Sequence, residues 1–185
     1  MNTKSKLVYL IGKPGTGKYA IAQSIAKNGY IICDNQLVNN PIFTLLNYDG
    51  FSKIPEAAWD AIGKIRNIIF DFIALENGKN YVLTNVLEEN KGDRSCYNQV
   101  KKLAEKNGFL FFPVKLLISK EENSKRIQNP ERIKRYKSID PQDAYLDTPL
   151  LNFNHRNLLT LDVTNLSAEN ASLKILKYIE QLEII

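Results

Sequence analysis

Leu7-Val8-Tyr9-Leu10-Ile11-Gly12-Lys13-Pro14-Gly15-Thr16-Gly17-Lys18 is the stretch on which the reading of this chain turns. Its first five residues have the apolar, β-branched and aromatic bias of a buried strand. The run breaks at Gly12 and then satisfies G-x-x-x-x-G-K, with a helix predicted over about 17–28 behind it. Each residue type has a task in that setting. Glycines permit a tight turn that aims successive N–H groups inward, toward phosphate oxygens. The following helix offers free N–H donors and its positive dipole end to the same anion. Lys18 adds a whole charge for the outer phosphates. A glycine-rich turn without a ligand would also join a strand to a helix, but it has no need of seven fitting positions in a row. The expectation is a triphosphate seat made by Gly12, Lys13, Pro14, Gly15, Thr16, Gly17 and Lys18.

One position departs from the motif. The residue after the lysine is usually Ser or Thr, whose hydroxyl ligates Mg²⁺; here it is Tyr19, followed by Ala20. A phenol cannot reach the metal from that place as a serine does. Either phosphates, water and another carboxylate hold the metal, or the site is weakened.

Working outward, apolar runs alternate with amphipathic stretches, the pattern of a parallel sheet with crossover helices. Strands are predicted at about 6–12, 30–34, 80–87, 109–118 and 158–164. Helices are predicted at about 17–28, 56–76, 93–107, 120–128 and 167–183. Ala58, Ile62, Ile65, Ile69, Phe72 and Ile73 keep a three-to-four residue spacing, so that helix buries one face. Pro55 stands at its start, where a missing N–H costs nothing. No internal repeat, low-complexity tract or linker interrupts the 185 residues, which fit one α/β domain over 1–185.

Bulk properties exclude several classes. Hydrophobic residues are 44% and charged residues 24%, enough apolar material for a core. No 18-residue apolar run predicts a membrane span. The first apolar run ends at the glycine turn and not at a small-residue cleavage site, so it reads as a strand and not as a signal peptide. Cys33 and Cys96 lack a partner motif, and the expectation is a reducing, cytoplasmic compartment. With His155 the only histidine and no Cys-x-x-Cys, a zinc site is excluded. The net charge of +5 would suit a nucleic-acid binder or a triphosphate binder. Its surplus is concentrated in residues 120–137, which favours a local phosphate-facing element over a nucleic-acid track.

Pro14-Gly15-Thr16-Gly17-Lys18 resembles the P-loop of adenylate kinase and of the wider nucleoside-monophosphate-kinase-like group. That group includes shikimate kinase, gluconate kinase, chloramphenicol phosphotransferase and the zeta-toxin kinases. The resemblance implies a P-loop NTPase core of five parallel strands in the order 2-3-1-4-5, with helices on both faces, a short basic lid, and ATP-dependent phosphoryl transfer with Mg²⁺. In adenylate kinases the residue after the lysine is commonly Gly and the next Thr; Ala20 departs from that variant as well.

The remaining candidates follow from position. Asp34 closes the second predicted strand, and ligands of open parallel sheets sit at the carboxyl ends of strands. The resemblance gives this aspartate the role of metal partner, or of base toward an acceptor hydroxyl; a turn Asp-Asn that caps the next segment is the plain alternative. Asn35, Asn39 and Asn40 suit a polar acceptor, or simply helix and turn chemistry around Pro41. The third strand ends at Thr84-Asn85 with no carboxylate, leaving Asp34 as the metal-side acid. The lid is expected over about 120–140, with Arg126 and Arg132 as its phosphate-facing arginines or as members of a solvated helix face. Asn165 lies where the related kinases pass a loop by the adenine, although helix capping would explain it equally. His155 reads as structural. The expected function is phosphoryl transfer from ATP to a small-molecule acceptor. A sensor that binds nucleotide and has lost turnover is the alternative.

Overall fold

The structure is a computed structural model that describes residues 4–50, 52–76 and 78–183. Five strands, β1 (Lys6–Gly12), β2 (Tyr30–Cys33), β3 (Asn80–Asn85), β4 (Leu110–Leu117) and β5 (Leu159–Asp162), form one sheet. Their order is β2-β3-β1-β4-β5 and every pairing is parallel. Parallel strands need crossovers, which the helices supply: α1 (Lys18–Ala26), α2 (Asn35–Leu45), α3 (Glu56–Leu75), α4 (Lys91–Lys106), α5 (Lys120–Ile127) and α6 (Ala168–Glu183). Two 3₁₀ turns, Pro130–Arg135 and Pro141–Ala144, follow α5. The sheet order and the helices around it are those the P-loop resemblance implied.

The central strand explains the layering. Leu7, Tyr9 and Ile11 point to one face and pack with Ile73, Tyr97, Val100 and Leu103 from α3 and α4. Val8 and Leu10 point to the other and meet Ile21 and Ile25 of α1 and Ile175 and Ile179 of α6. Covered on both faces, β1 is apolar throughout its interior. Among the described residues no helix is long and apolar enough to cross a membrane.

One helix lies outside the sequence expectation. Residues 35–45 form α2 although Pro41 sits inside it, and the helix gathers behind an Asp34 cap whose Oδ1 accepts from the Leu37 N–H at 3.2 Å. Burial of Val38 and Phe43 against Ile62 of α3 outweighs the bond that Pro41 cannot make. At the other end of the chain Ser167, not Asn165, caps α6, its Oγ accepting from the Asn170 N–H at 3.1 Å.

Candidate active site

β1 delivers the phosphate loop to the carboxyl edge of the sheet, where Gly12 ends the strand. Two glycines there are sterically required. A Cβ on Gly15, whose φ is +86°, would stand 2.0 Å from Asn123 Oδ1 and 2.7 Å from Ile127 Cγ1. Gly17 caps α1 in the left-handed region at φ +83°. No acidic residue occupies the first turn of α1 and no side chain caps it. Its first N–H groups therefore lack helical partners and keep the dipole's positive end unneutralised. Lys18 curls under the loop, donating to the Gly12 carbonyl at 2.6 Å and the Lys13 carbonyl at 2.8 Å. Burial drives its ammonium well below the ordinary lysine range, and the like charges of Lys137 and Arg132 add to the effect. An anion in the loop would relieve that strain by favouring the charged form. Lys13 points away, donating to the Leu146 carbonyl at 2.6 Å, and so ties the loop to the segment after the 3₁₀ turn Pro141–Ala144.

A cleft of about 720 Å³ opens from this loop toward α2 and α3. It gathers Pro14, Gly15, Gly17, Lys18, Tyr19, Asp34, Arg126 and Arg132 from the expected set. Asp34 is buried at the end of β2, and its Oδ2 accepts from Arg135 Nη2 at 2.9 Å. Arg135 is the residue that sequence reasoning missed. Its guanidinium carbon lies 3.3 Å from the centroid of the Tyr19 ring, a stacked cation–π contact, with Lys137 Nζ 5.3 Å from the same ring. Tyr19 at a position that usually carries Ser or Thr was the signal for this contact, since an aromatic ring beside a basic run invites a guanidinium.

Arg126 and Arg132 take other posts. Arg126 pairs with Glu122 at 2.8 Å and donates to the carbonyls of Val163 and Thr164 at 3.1 and 3.0 Å. It thus braces the β5–α6 turn, where Asn165 lies exposed. Arg132 Nε donates to the Ser138 carbonyl at 2.9 Å, and burial lowers its guanidinium from the usual range. Thr84 Oγ1 accepts from the Asn35 N–H at 3.2 Å, while Asn85 donates to Tyr9 Oη and Cys96 Sγ at 3.3 Å each, so both sit in the floor of the cleft as structural groups. His155 stands edge-on to Phe111 at 5.2 Å and accepts from the Asn157 N–H, a packing role.

The far end of the cleft is built from Phe43, Tyr48 and Trp59, whose rings approach at 4.9 and 6.0 Å, with the amides of Gln36 and Asn39 beside them. Gln36 Oε1 and Asn39 Oδ1 are buried and make no hydrogen bond. Buried polar atoms without partners cost roughly 1–3 kcal/mol each, so such pairs mark places built for a ligand's donors.

The residues near the loop do not make a protein-held Mg²⁺ site. Mg²⁺ asks for octahedral oxygen ligands. Here residue 19 is a phenol under a guanidinium, Ala20 has no donor, and both Asp34 oxygens are engaged. Among the described residues no group of three His, Cys, Asp or Glu side chains could hold a metal ion.

Solved structures share this architecture along nearly the whole chain. A gluconokinase from Sinorhizobium meliloti 1021 matches with a TM-score of 0.65 at 16% identity, over 96% of this chain and 93% of that one. The chain has the P-loop kinase fold. The Mycobacterium tuberculosis APS kinase CysC, in complex with AMPPNP and APS, matches this P-loop fold with a TM-score of 0.57 at 14% identity, over 96% and 98% of the two chains. A tunicamycin resistance protein from Deinococcus radiodurans follows at 0.55 and 11%, over 95% and 96%. No protein-family model and no curated relative matches the sequence.

Proposed function

We propose that this protein transfers the γ-phosphoryl group of ATP to a hydroxyl of a small, uncharged acceptor. The observation that carries the reading is the single cleft, with a phosphate loop at one end and unpartnered amides beside aromatic rings at the other. The triphosphate lies on the loop amides and Lys18, and the base lies toward the β5–α6 turn that Arg126 braces. The acceptor rests against Phe43, Tyr48 and Trp59 and donates hydrogen bonds to Gln36 and Asn39. Its hydroxyl oxygen forms a bond to the γ-phosphorus as the bond to the β–γ bridging oxygen breaks; the hydroxyl proton is lost to water late in the step and ADP departs, while Asp34 holds Arg135 in place. In a loose transition state little covalent help is needed, and positioning plus lid cations supply most of the acceleration. Mg²⁺ has no protein-built seat in this arrangement.

Kinases of the same fold support the reaction class, one of them solved in complex with AMPPNP and APS. A second reading, a nucleotide sensor without turnover, is favoured by Asp34, whose carboxylate is already ion-paired. Incubation with ATP and a panel of neutral alcohols, sugar acids and nucleotides, with mass spectrometry of the products, tests the proposal. A phosphorylated product of a neutral acceptor, which Lys18→Ala fails to make, supports it. ATP binding with no phosphorylated product across the panel would favour the sensor.

A further inference from the structure

The cation partners of the cleft are unevenly matched. Six cationic side chains line it, Lys18, Arg126, Arg132, Lys134, Arg135 and Lys137, against two acidic ones, Asp34 and Glu131. Arg126 is also ion-paired with Glu122 just outside the lining, so the surplus is three. A nucleoside triphosphate free of metal carries about four negative charges, taking about two for the terminal phosphoryl group and one for each inner phosphate. Its divalent-metal complex carries only half of that. A surplus of three exceeds what the metal complex would neutralise by one cation.

The placement of one of those cations is more specific. In loops of this motif the residue after the lysine contributes a metal-ligating hydroxyl, and the carboxylate at the end of the neighbouring strand lies across from it. In this protein the same two positions are Tyr19 and Asp34, and a guanidinium is clamped between them. Arg135 stacks on the Tyr19 ring at 3.3 Å and donates Nη2 to Asp34 Oδ2 at 2.9 Å. Its other terminal nitrogen, Nη1, is buried and without a hydrogen-bond partner. Nothing about folding requires a buried unpaired donor there. A phosphate oxygen would complete it with a charge-assisted bond. The clamp is over-determined in the way a binding group should be: ring stacking fixes the guanidinium plane, and the carboxylate fixes its rotation about that plane.

We propose that Arg135, held between Tyr19 and Asp34, fills the place of the divalent cation, so that this site is built for a metal-free nucleoside triphosphate. The inference rests on the nucleotide reading of the phosphate loop, and no acceptor is needed to test it. A divalent cation would have to displace the guanidinium from a buried carboxylate, and at residue 19 it would find no short Ser or Thr hydroxyl in return. Metal and Arg135 therefore compete for one position.

Calorimetric titration of the purified protein with ATP, in EDTA and in excess Mg²⁺, reads this directly. The expected result is an affinity in EDTA equal to or tighter than that in Mg²⁺. Arg135→Ala should weaken binding in EDTA by tenfold or more and make the remaining binding stronger with Mg²⁺ than without it. Tyr19→Leu, which keeps the bulk and removes the ring face, should move in the same direction by a smaller factor and serves if Arg135→Ala does not fold. Wild-type binding that falls tenfold or more when Mg²⁺ is removed, with both variants unchanged from it, would overturn the proposal while leaving the nucleotide site standing. Absence of ATP binding in either medium would overturn the nucleotide reading and this proposal with it.

Discussion

At one end of the cleft the chain offers main-chain groups: glycines at 15 and 17 with positive φ, the uncapped first turn of α1, and a lysine folded beneath them. At the other end it offers side chains, the rings of Phe43, Tyr48 and Trp59 and the amides of Gln36 and Asn39. The first end is rigid because the glycines are packed. Gly12 and Gly15 have no room for a methyl group, with Thr16 Oγ1, Leu116 and Asn123 closing on them. The second is held by a smaller apolar cluster around Val38, Phe43 and Ile62, and Trp59 is 46% exposed. A backbone seat suits a ligand part that is always the same, the triphosphate. A side-chain seat suits a part that distinguishes one acceptor from another. In the proposed reaction, that division would put chemistry at one end and specificity at the other.

The same division decides what could be read beforehand. A backbone seat needs glycines and a lysine at fixed spacing on a strand-to-helix turn, so it leaves a local signature, and residues 7–18 carried it. The acceptor end joins residues from α2, the loop after it and α3, which touch only after folding. Its helix α2 was hidden by Pro41. In the lid the difficulty was direction and not composition. Arg126, Arg132 and Arg135 have the same chemistry, and the one that reaches Asp34 is set by the 3₁₀ turn Pro130–Arg135 and its left-handed stop at Tyr136, φ +51°. A non-glycine residue in that region is rarely legible in a sequence.

The strongest way to break the contrast is at the backbone end. Lys18→Ala should lower ATP affinity about 100-fold, the scale of a lost charge-assisted bond to a phosphate, and leave the thermal midpoint near that of the wild type. Fluorescence titration with a labelled nucleotide checks it. Equal affinity in the variant would reduce the loop to a structural turn.

Substitution at the side-chain end should act on the other ligand. Trp59→Ala should raise the acceptor KM by about tenfold with kcat and ATP affinity retained, because it removes binding shared by ground and transition states. Steady-state kinetics on the acceptor found by product analysis would measure it. A fall in ATP affinity instead would mean the two ends are not separate.

The lid arginines sharpen the comparison further. Arg132→Ala should lower kcat by several-fold while ATP affinity moves less, since lid charge matters most with the phosphoryl group in flight. Arg126→Ala should do the reverse and weaken ATP modestly, as it props the β5–α6 turn through two carbonyls. Rapid-quench turnover alongside equilibrium binding separates the two. Identical profiles for both variants would dissolve the distinction.

The smallest effect expected is a proton. Burial pulls the Lys137 ammonium from the usual 10.5 down to about 8, with Arg135 and Arg132 adding like charge and Asp34 opposing them. Between pH 8 and 10.5 the unfolded chain therefore holds a proton at this lysine that the folded protein has released. Stability of the ligand-free protein from this group accordingly rises with pH across that window, and its full penalty is present below pH 8. A triphosphate in the cleft reverses the preference, because an anion favours the charged amine. Nucleotide binding at pH 9 should thus take up most of one proton at Lys137, whereas at pH 7 the amine is already charged and uptake from it should vanish. Lys18, also depressed by burial, contributes in the same sense, so the share that belongs to Lys137 is the part lost in Lys137→Met. Calorimetry at pH 9 in buffers of different ionisation enthalpy reads the number of protons from the slope. A slope at pH 9 that is unchanged by Lys137→Met would mean that this lysine never faces the phosphates, and that the cationic wall ends at Arg135.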